Sequence, residues 1–143
     1  MSRYFSKRFL FVYNKHKKRM DNMYQVIKMY GDWEPWWFIE GWQNDIVDEK
    51  EFDQWDEALA FYKQEWQHMK DDFPSYHSQK NLLATFWRTT DKRWCEDCGD
   101  DLQQFHSILL LKDRDIIPSD QYVIAFEQRN DTPAAPYMCK LNF

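Results

Sequence analysis

The apolar residues between positions 52 and 69 constrain this chain more than any other feature. Phe52, Trp55, Leu59, Tyr62, Trp66 and Met69 recur at steps of three, four, three, four and three, which places them on one face of an α-helix. The spacing predicts a helix over residues 50–72. Asp48 is its expected cap, Glu51 three residues on completes a capping-box-like pair, and Phe73-Pro74 ends it. His68 and Lys70 fall in the last turn, where the helix dipole favours positive charge.

The rest of the chain reads mainly as strands. Residues 23–30 are rich in β-branched and aromatic side chains, Gly31-Asp32 supplies turn chemistry, and residues 35–42 read as a return strand. Together they predict an aromatic β-hairpin. Residues 82–89 read as another strand, with a turn at 90–92 and a return strand beginning at Arg93. Residues 102–112 carry both periods. The run Ile108–Leu111 favours a buried strand, and a helix stays open. Residues 121–128 fit a short helix or a strand, and the tail from Asn130, with Pro133 and Pro136, reads as irregular. There is no repeated βαβ alternation. The expected architecture is therefore α+β: an antiparallel sheet of about four or five strands with one long amphipathic helix packed on it.

Charge divides the chain. Residues 1–22 hold seven basic residues against one acid, leaving twelve basic against twenty-three acidic in 23–143. The net charges are plus six and minus eleven, within a total of −5. The segment 1–22 reads as a basic N-terminal extension that is either disordered or begins upstream of the native start, with Met20 and Met23 as alternative starts. Its apolar run is too short for a signal peptide and is followed by Lys and Arg. Residues 23–143 read as a single domain, whose core draws on an aromatic content of 19% with 8 Trp. No stretch of about 18 apolar residues exists. Three Cys without an export signal fit reduced thiols in the cytoplasm.

Three residue groups are candidates for chemistry. The Trp-rich hairpin, with Trp33, Trp36, Trp37 and Trp42, carries large aromatics on both faces. One face suits the core, while the other is a candidate contact surface for a protein partner. Lys80, Arg88, Lys92 and Arg93, around the expected 82–95 hairpin, are the cluster a phosphate backbone would need. Cys95-Glu96-Asp97-Cys98-Gly99 has the shape of half a zinc knuckle, for which His106 and Cys139 are available as further ligands. Glu96 and Asp97 between the thiols disfavour a reactive redox pair. No G-x-S-x-G, P-loop or H-E-x-x-H pattern occurs, so no enzyme is expected, and no cofactor beyond the zinc alternative.

The string from Met23 to Phe38, together with Thr85-Phe86-Trp87, Trp94-Cys95-Glu96-Asp97-Cys98 and Asp100-Asp101-Leu102-Gln103, resembles a bacterial family catalogued as domain of unknown function 1033. The resemblance covers residues 23–143 and leaves 1–22 outside. It implies a DNA-binding label that some members carry, and a link to DNA uptake. It brings no catalytic residues. The acidic domain repels phosphate, so the residues themselves favour a small, cytoplasmic, non-enzymatic binding or adaptor protein. A DNA-associated protein is the second reading and a zinc-stabilised one the third.

Overall fold

A computed structural model describes residues 22–130. The basic extension up to Asp21, the candidate ligand Cys139 and the tail beyond Asn130 lie outside the described residues. Nine strands and one α-helix are described: β1 (Tyr24–Gly31), β2 (Ile46–Phe52), α1 (Trp55–Asp72), β3 (Ser75–Ser78), β4 (Leu83–Trp87), β5 (Lys92–Cys95), β6 (Asp100–Gln103), β7 (Phe105–Lys112), β8 (Asp115–Ile116) and β9 (Gln128–Arg129). The main sheet has seven strands in the order β2-β1-β7-β4-β3-β9, with β8 paired to β7, and all pairings are antiparallel. β5 and β6 form a separate two-stranded ribbon. The class is the expected α+β, with more strands than the four or five read from the sequence. No helix among the described residues is long and apolar enough to cross a membrane.

The helix begins at Trp55, five residues later than the periodicity implied. Residues 46–52 instead extend as β2, the outer partner of β1, with Ile27 opposite Glu49 and Val26 opposite Lys50. Asp48 does not cap α1. Its carboxylate accepts the Glu49 backbone N–H, and Gln54 caps without a side-chain bond. An edge strand exposes one row of backbone groups, and its charged side chains discourage pairing with another chain. That is why Asp48-Glu49-Lys50-Glu51 tolerates a strand that its composition argues against. Phe52 closes β2 yet lies 5.5 Å from the ring of Phe61 on α1. It thus continued the apolar stripe of the helix without belonging to it.

The partner expected for β1, residues 35–42, is not a strand. Pro35 offers no N–H to a ladder, while Phe38 at φ 45° and Gly41 at φ 83° turn the chain back on itself. Gly41 takes the left-handed conformation at little steric cost and leads into a 3-10 turn at Trp42–Asp45. The expected 82–95 hairpin is likewise absent. β4 pairs with β3 and β7, and β5 pairs with β6.

Successive strand residues point to opposite faces of a sheet, and here both faces are covered. Tyr24, Val26, Ala84, Phe86, Ile108 and Leu110 pack against Ala58, Tyr62 and Trp66 of α1. Ile27, Met29, Leu83, Leu109 and Leu111 pack against Trp36, Phe38, Trp42 and Ile46. The continuous apolar run of β7 is what a strand buried on both sides requires, which removes the helix alternative for 102–112. Residues 121–128 are two 3-10 turns running into β9, neither the α-helix nor the full strand that the sequence allowed.

Tyr62 is fully buried, and its hydroxyl has no hydrogen-bond partner among the described residues. Burial alone pushes its pKa well above the ordinary value. A buried hydroxyl without a partner costs on the order of 1–3 kcal/mol. Tyr62→Phe removes the hydroxyl and keeps the ring, so the variant should be at least as stable as the parent in urea unfolding. A loss of about 1 kcal/mol or more would show that the hydroxyl does find a partner.

Candidate contact surface

The loop 32–45 leaves the end of β1, crosses the second face of the sheet and returns as β2. It sorts the aromatic residues into two roles. Trp36 lies over His77 of β3, with ring centroids 4.7 Å apart, and burial pushes the His77 pKa below its ordinary value. Phe38 and Trp42 meet edge to face at 5.0 Å. Pro35 is buried. Trp36, Phe38 and Trp42 therefore close the second core. Trp37 points the other way and is 52% exposed. Its indole N–H donates to Glu34 Oε1 at 3.0 Å, which holds the exposed ring in one orientation. Trp33 is half-buried at the rim of a cleft.

That cleft has a volume of about 380 Å³ and opens between the end of β1, the loop and the β5–β6 ribbon. Asp32 forms its floor network: Arg93 donates through Nε at 3.1 Å and Nη2 at 2.6 Å, and Gln104 Nε2 donates at 2.8 Å. The Asp32 hydrogen bond raises the pKa of Arg93, holding the guanidinium charged. Asp45 approaches Gly31 so closely that a Cβ there would lie 2.6 Å from its Oδ2. A side chain at Gly31 would oblige the Asp45 carboxylate to move. Tyr30, Trp33 and Trp42 supply aromatic surface, and Glu40 a further carboxylate. Burial, reinforced by the hydrogen bond of the hydroxyl to Asp91, raises the Tyr30 pKa.

The four basic residues read as a phosphate-binding cluster are placed apart or already engaged. Lys80 precedes β4 and Arg88 follows it, so they stand at opposite ends of that strand. Arg88 Nη2 donates to the Asp72 carbonyl at 2.6 Å, and the guanidinium lies 4.1 Å from the Phe73 ring centre. Arg93 is held by Asp32, and Lys92 is exposed at the start of β5.

The cysteine turn is tight, but its sulfur spacing does not fit a zinc knuckle. The Cys95 and Cys98 sulfurs lie 2.7 Å apart, the Cys98 N–H points at Cys95 Sγ at 3.3 Å, and Gly99 N–H donates to the Cys95 carbonyl at 2.8 Å. A tetrahedral zinc with bonds of about 2.3 Å needs sulfurs roughly 3.8 Å apart. His106 is occupied elsewhere. Its Nε2 lies 3.5 Å from Asp91, and its ring lies 4.5 Å from Tyr30 and 4.7 Å from Phe73. The carboxylate favours the charged imidazole, but burial is the stronger influence and lowers the His106 pKa. Among the described residues no group of three or more His, Cys, Asp or Glu could hold a metal ion.

The Trp residues of the loop stand out in the sequence, whereas the cleft does not. Asp32, Glu40 and Asp45 are visible in the sequence only as acids near a hairpin. They converge because the loop folds back on Gly31, and no spacing announces that. The fold and the cleft define an α+β domain with an aromatic and acidic loop as its most distinctive surface. The chain belongs to the family described as "Protein of unknown function (DUF1033)", whose model matches residues 23–141. No curated protein and no solved structure matches it.

Proposed function

We propose that this domain is a small non-enzymatic binding module that uses the loop 32–45 to contact a protein partner. The observation that carries the reading is Trp37. A large apolar ring left 52% exposed, yet fixed through its indole N–H by Glu34, is preorganised for contact. Trp is enriched among residues that dominate binding energy, and a ring already fixed loses little freedom on association. Its neighbours Trp36 and Trp42 anchor the loop from beneath, so the surface sits on a rigid base.

The test is affinity capture on the full chain, with the captured protein then purified and recombined in vitro. Trp37→Ala should weaken that complex by about 2 kcal/mol or more without changing the unfolding temperature. A complex indifferent to Trp37 would remove the reading. Duplex DNA serves as the counter-test, because the family resemblance carries a DNA-binding label. The acidic domain should bind duplex DNA no tighter than about 10⁻⁵ M at physiological salt. Tight binding abolished by Arg88→Glu with Arg93→Glu would favour the DNA reading instead.

A further inference from the structure

The β5–β6 ribbon carries a sulfur pair at its turn. β5 ends at Cys95, β6 begins at Asp100, and the two residues are paired across the ribbon, so residues 96–99 close a turn of fixed register. Gly99, at φ 65°, donates its N–H to the Cys95 carbonyl at 2.8 Å. Cys95 is buried and Cys98 is half-buried. Their sulfurs stand 2.7 Å apart, and the Cys98 N–H points at Cys95 Sγ at 3.3 Å, a donor that a thiolate accepts. Arg93 lies two residues before Cys95, on the same side of the strand, and its charge interacts with that residue. Glu96 and Asp97, expected from the sequence to disfavour a reactive pair, are both exposed, where solvent and salt screen their charge. Cys98 is disulfide-bonded, where the sequence favoured reduced thiols, and Cys95 is outside that bond.

We propose that Cys95 and Cys98 form a thiol–disulfide exchange site, in which Cys98 takes an incoming small disulfide and Cys95 resolves it. The more accessible Cys98 sulfur, as thiolate, attacks one sulfur of the substrate. The substrate S–S bond breaks, a mixed disulfide forms at Cys98, and the first thiol departs. Cys95 then attacks Cys98 Sγ, the Cys95–Cys98 bond forms, and the second thiol departs. The two protons given up by the cysteines end on the two departing thiols. The cysteines are oxidised by two electrons and the substrate disulfide is reduced. A disulfide at Cys98 with the Cys95 sulfur beside it is the arrangement that enters the second step. The exchange is stoichiometric, once per chain, and is independent of the contact surface on the loop 32–45.

The experiment uses the full chain carrying Cys139→Ser, which removes the third cysteine of the sequence, and glutathione disulfide as the probe. After reduction and removal of the reductant, the chain should react with the probe, release both glutathione halves and end with a Cys95–Cys98 bond, read by peptide mass spectrometry without reduction. With Cys95→Ser added, Cys98 should instead keep its glutathione as a stable adduct. With Cys98→Ser added, adduct formation should slow by about tenfold, since the buried Cys95 is poorly reached. Resolution of the mixed disulfide in the folded chain should be about tenfold faster than in the same chain unfolded in urea, because the turn holds the attacking sulfur in place. This comparison needs no substitution at Cys95, so it decides even where Cys95→Ser fails to fold. An adduct that persists on Cys98 while Cys95 is present would overturn the proposal. So would preferential modification of Cys95, or no reaction with the probe. Equal rates in the folded and unfolded chains would overturn it too, because the spacing in the sequence alone would then set the rate.

Discussion

Trp66→Ala should lower the unfolding free energy by about 3–5 kcal/mol, the range for deleting a buried indole. Trp66 is 5% exposed and sits at the centre of the helix–sheet core. Its ring meets Phe126 at 5.0 Å, Phe86 at 6.2 Å and Tyr76 at 6.3 Å, each near edge-to-face. Its indole N–H donates to Ser78 Oγ at 3.0 Å, and the Lys70 ammonium lies 5.4 Å from the ring centre. Truncation removes the packing of three rings at once and strips a buried hydroxyl of its donor, so collapse of the site cannot recover the loss. Urea unfolding of the full chain gives the measurement. A cost below about 1 kcal/mol would mean that α1 is not held to the sheet through this residue.

Trp42→Ala and Trp37→Ala should separate by several-fold in stability, although both are tryptophans of one loop. Trp42 packs edge to face on Phe38 over Ile27, Met29, Leu83, Leu109 and Leu111. Its half-buried ring should be worth about 2–3 kcal/mol, somewhat less than a fully buried one. Removal would open the second face of the sheet to water. The Trp37 side chain donates to Glu34 and is half-exposed, so its truncation should stay within about 0.5 kcal/mol. Thermal unfolding of the two variants side by side reads this directly. Similar losses would mean that Trp37 is part of the core, and the case for a contact surface would weaken. Similar neutrality would mean that the loop does not close the second core at all.

The helix and the aromatic loop were legible in the sequence to different degrees. The apolar stripe Trp55, Leu59, Tyr62, Trp66 and Met69 is local. Its period of about 3.6 residues is a property of consecutive positions, and it identified the helix and the residues that face the sheet. Of these, Tyr62 and Trp66 are buried, while Trp55, Leu59 and Met69 are packed at the margin. The apolar run Ile108–Leu111 likewise announced a fully buried segment, though whether it was strand or helix depended on what lay on either side. The high aromatic content foretold a core built from rings, which both clusters contain.

What the sequence determined by itself was the membership of residues in local classes: one amphipathic helix, several apolar strand segments, an acidic domain, and the family to which residues 23–141 belong. Tertiary structure decided which segments meet. β1 finds its partner in the charged segment 46–52 and not in the aromatic segment 35–42. An edge strand needs only backbone hydrogen bonds and tolerates charge outward, whereas Pro35 and the left-handed Phe38 and Gly41 cannot hold a ladder. The aromatic segment, released from pairing, folds over the sheet instead, and only that return brings Asp45 against Gly31 and assembles the cleft. Strand register and loop closure depend on contacts far apart in the chain, and no window of neighbouring residues records them.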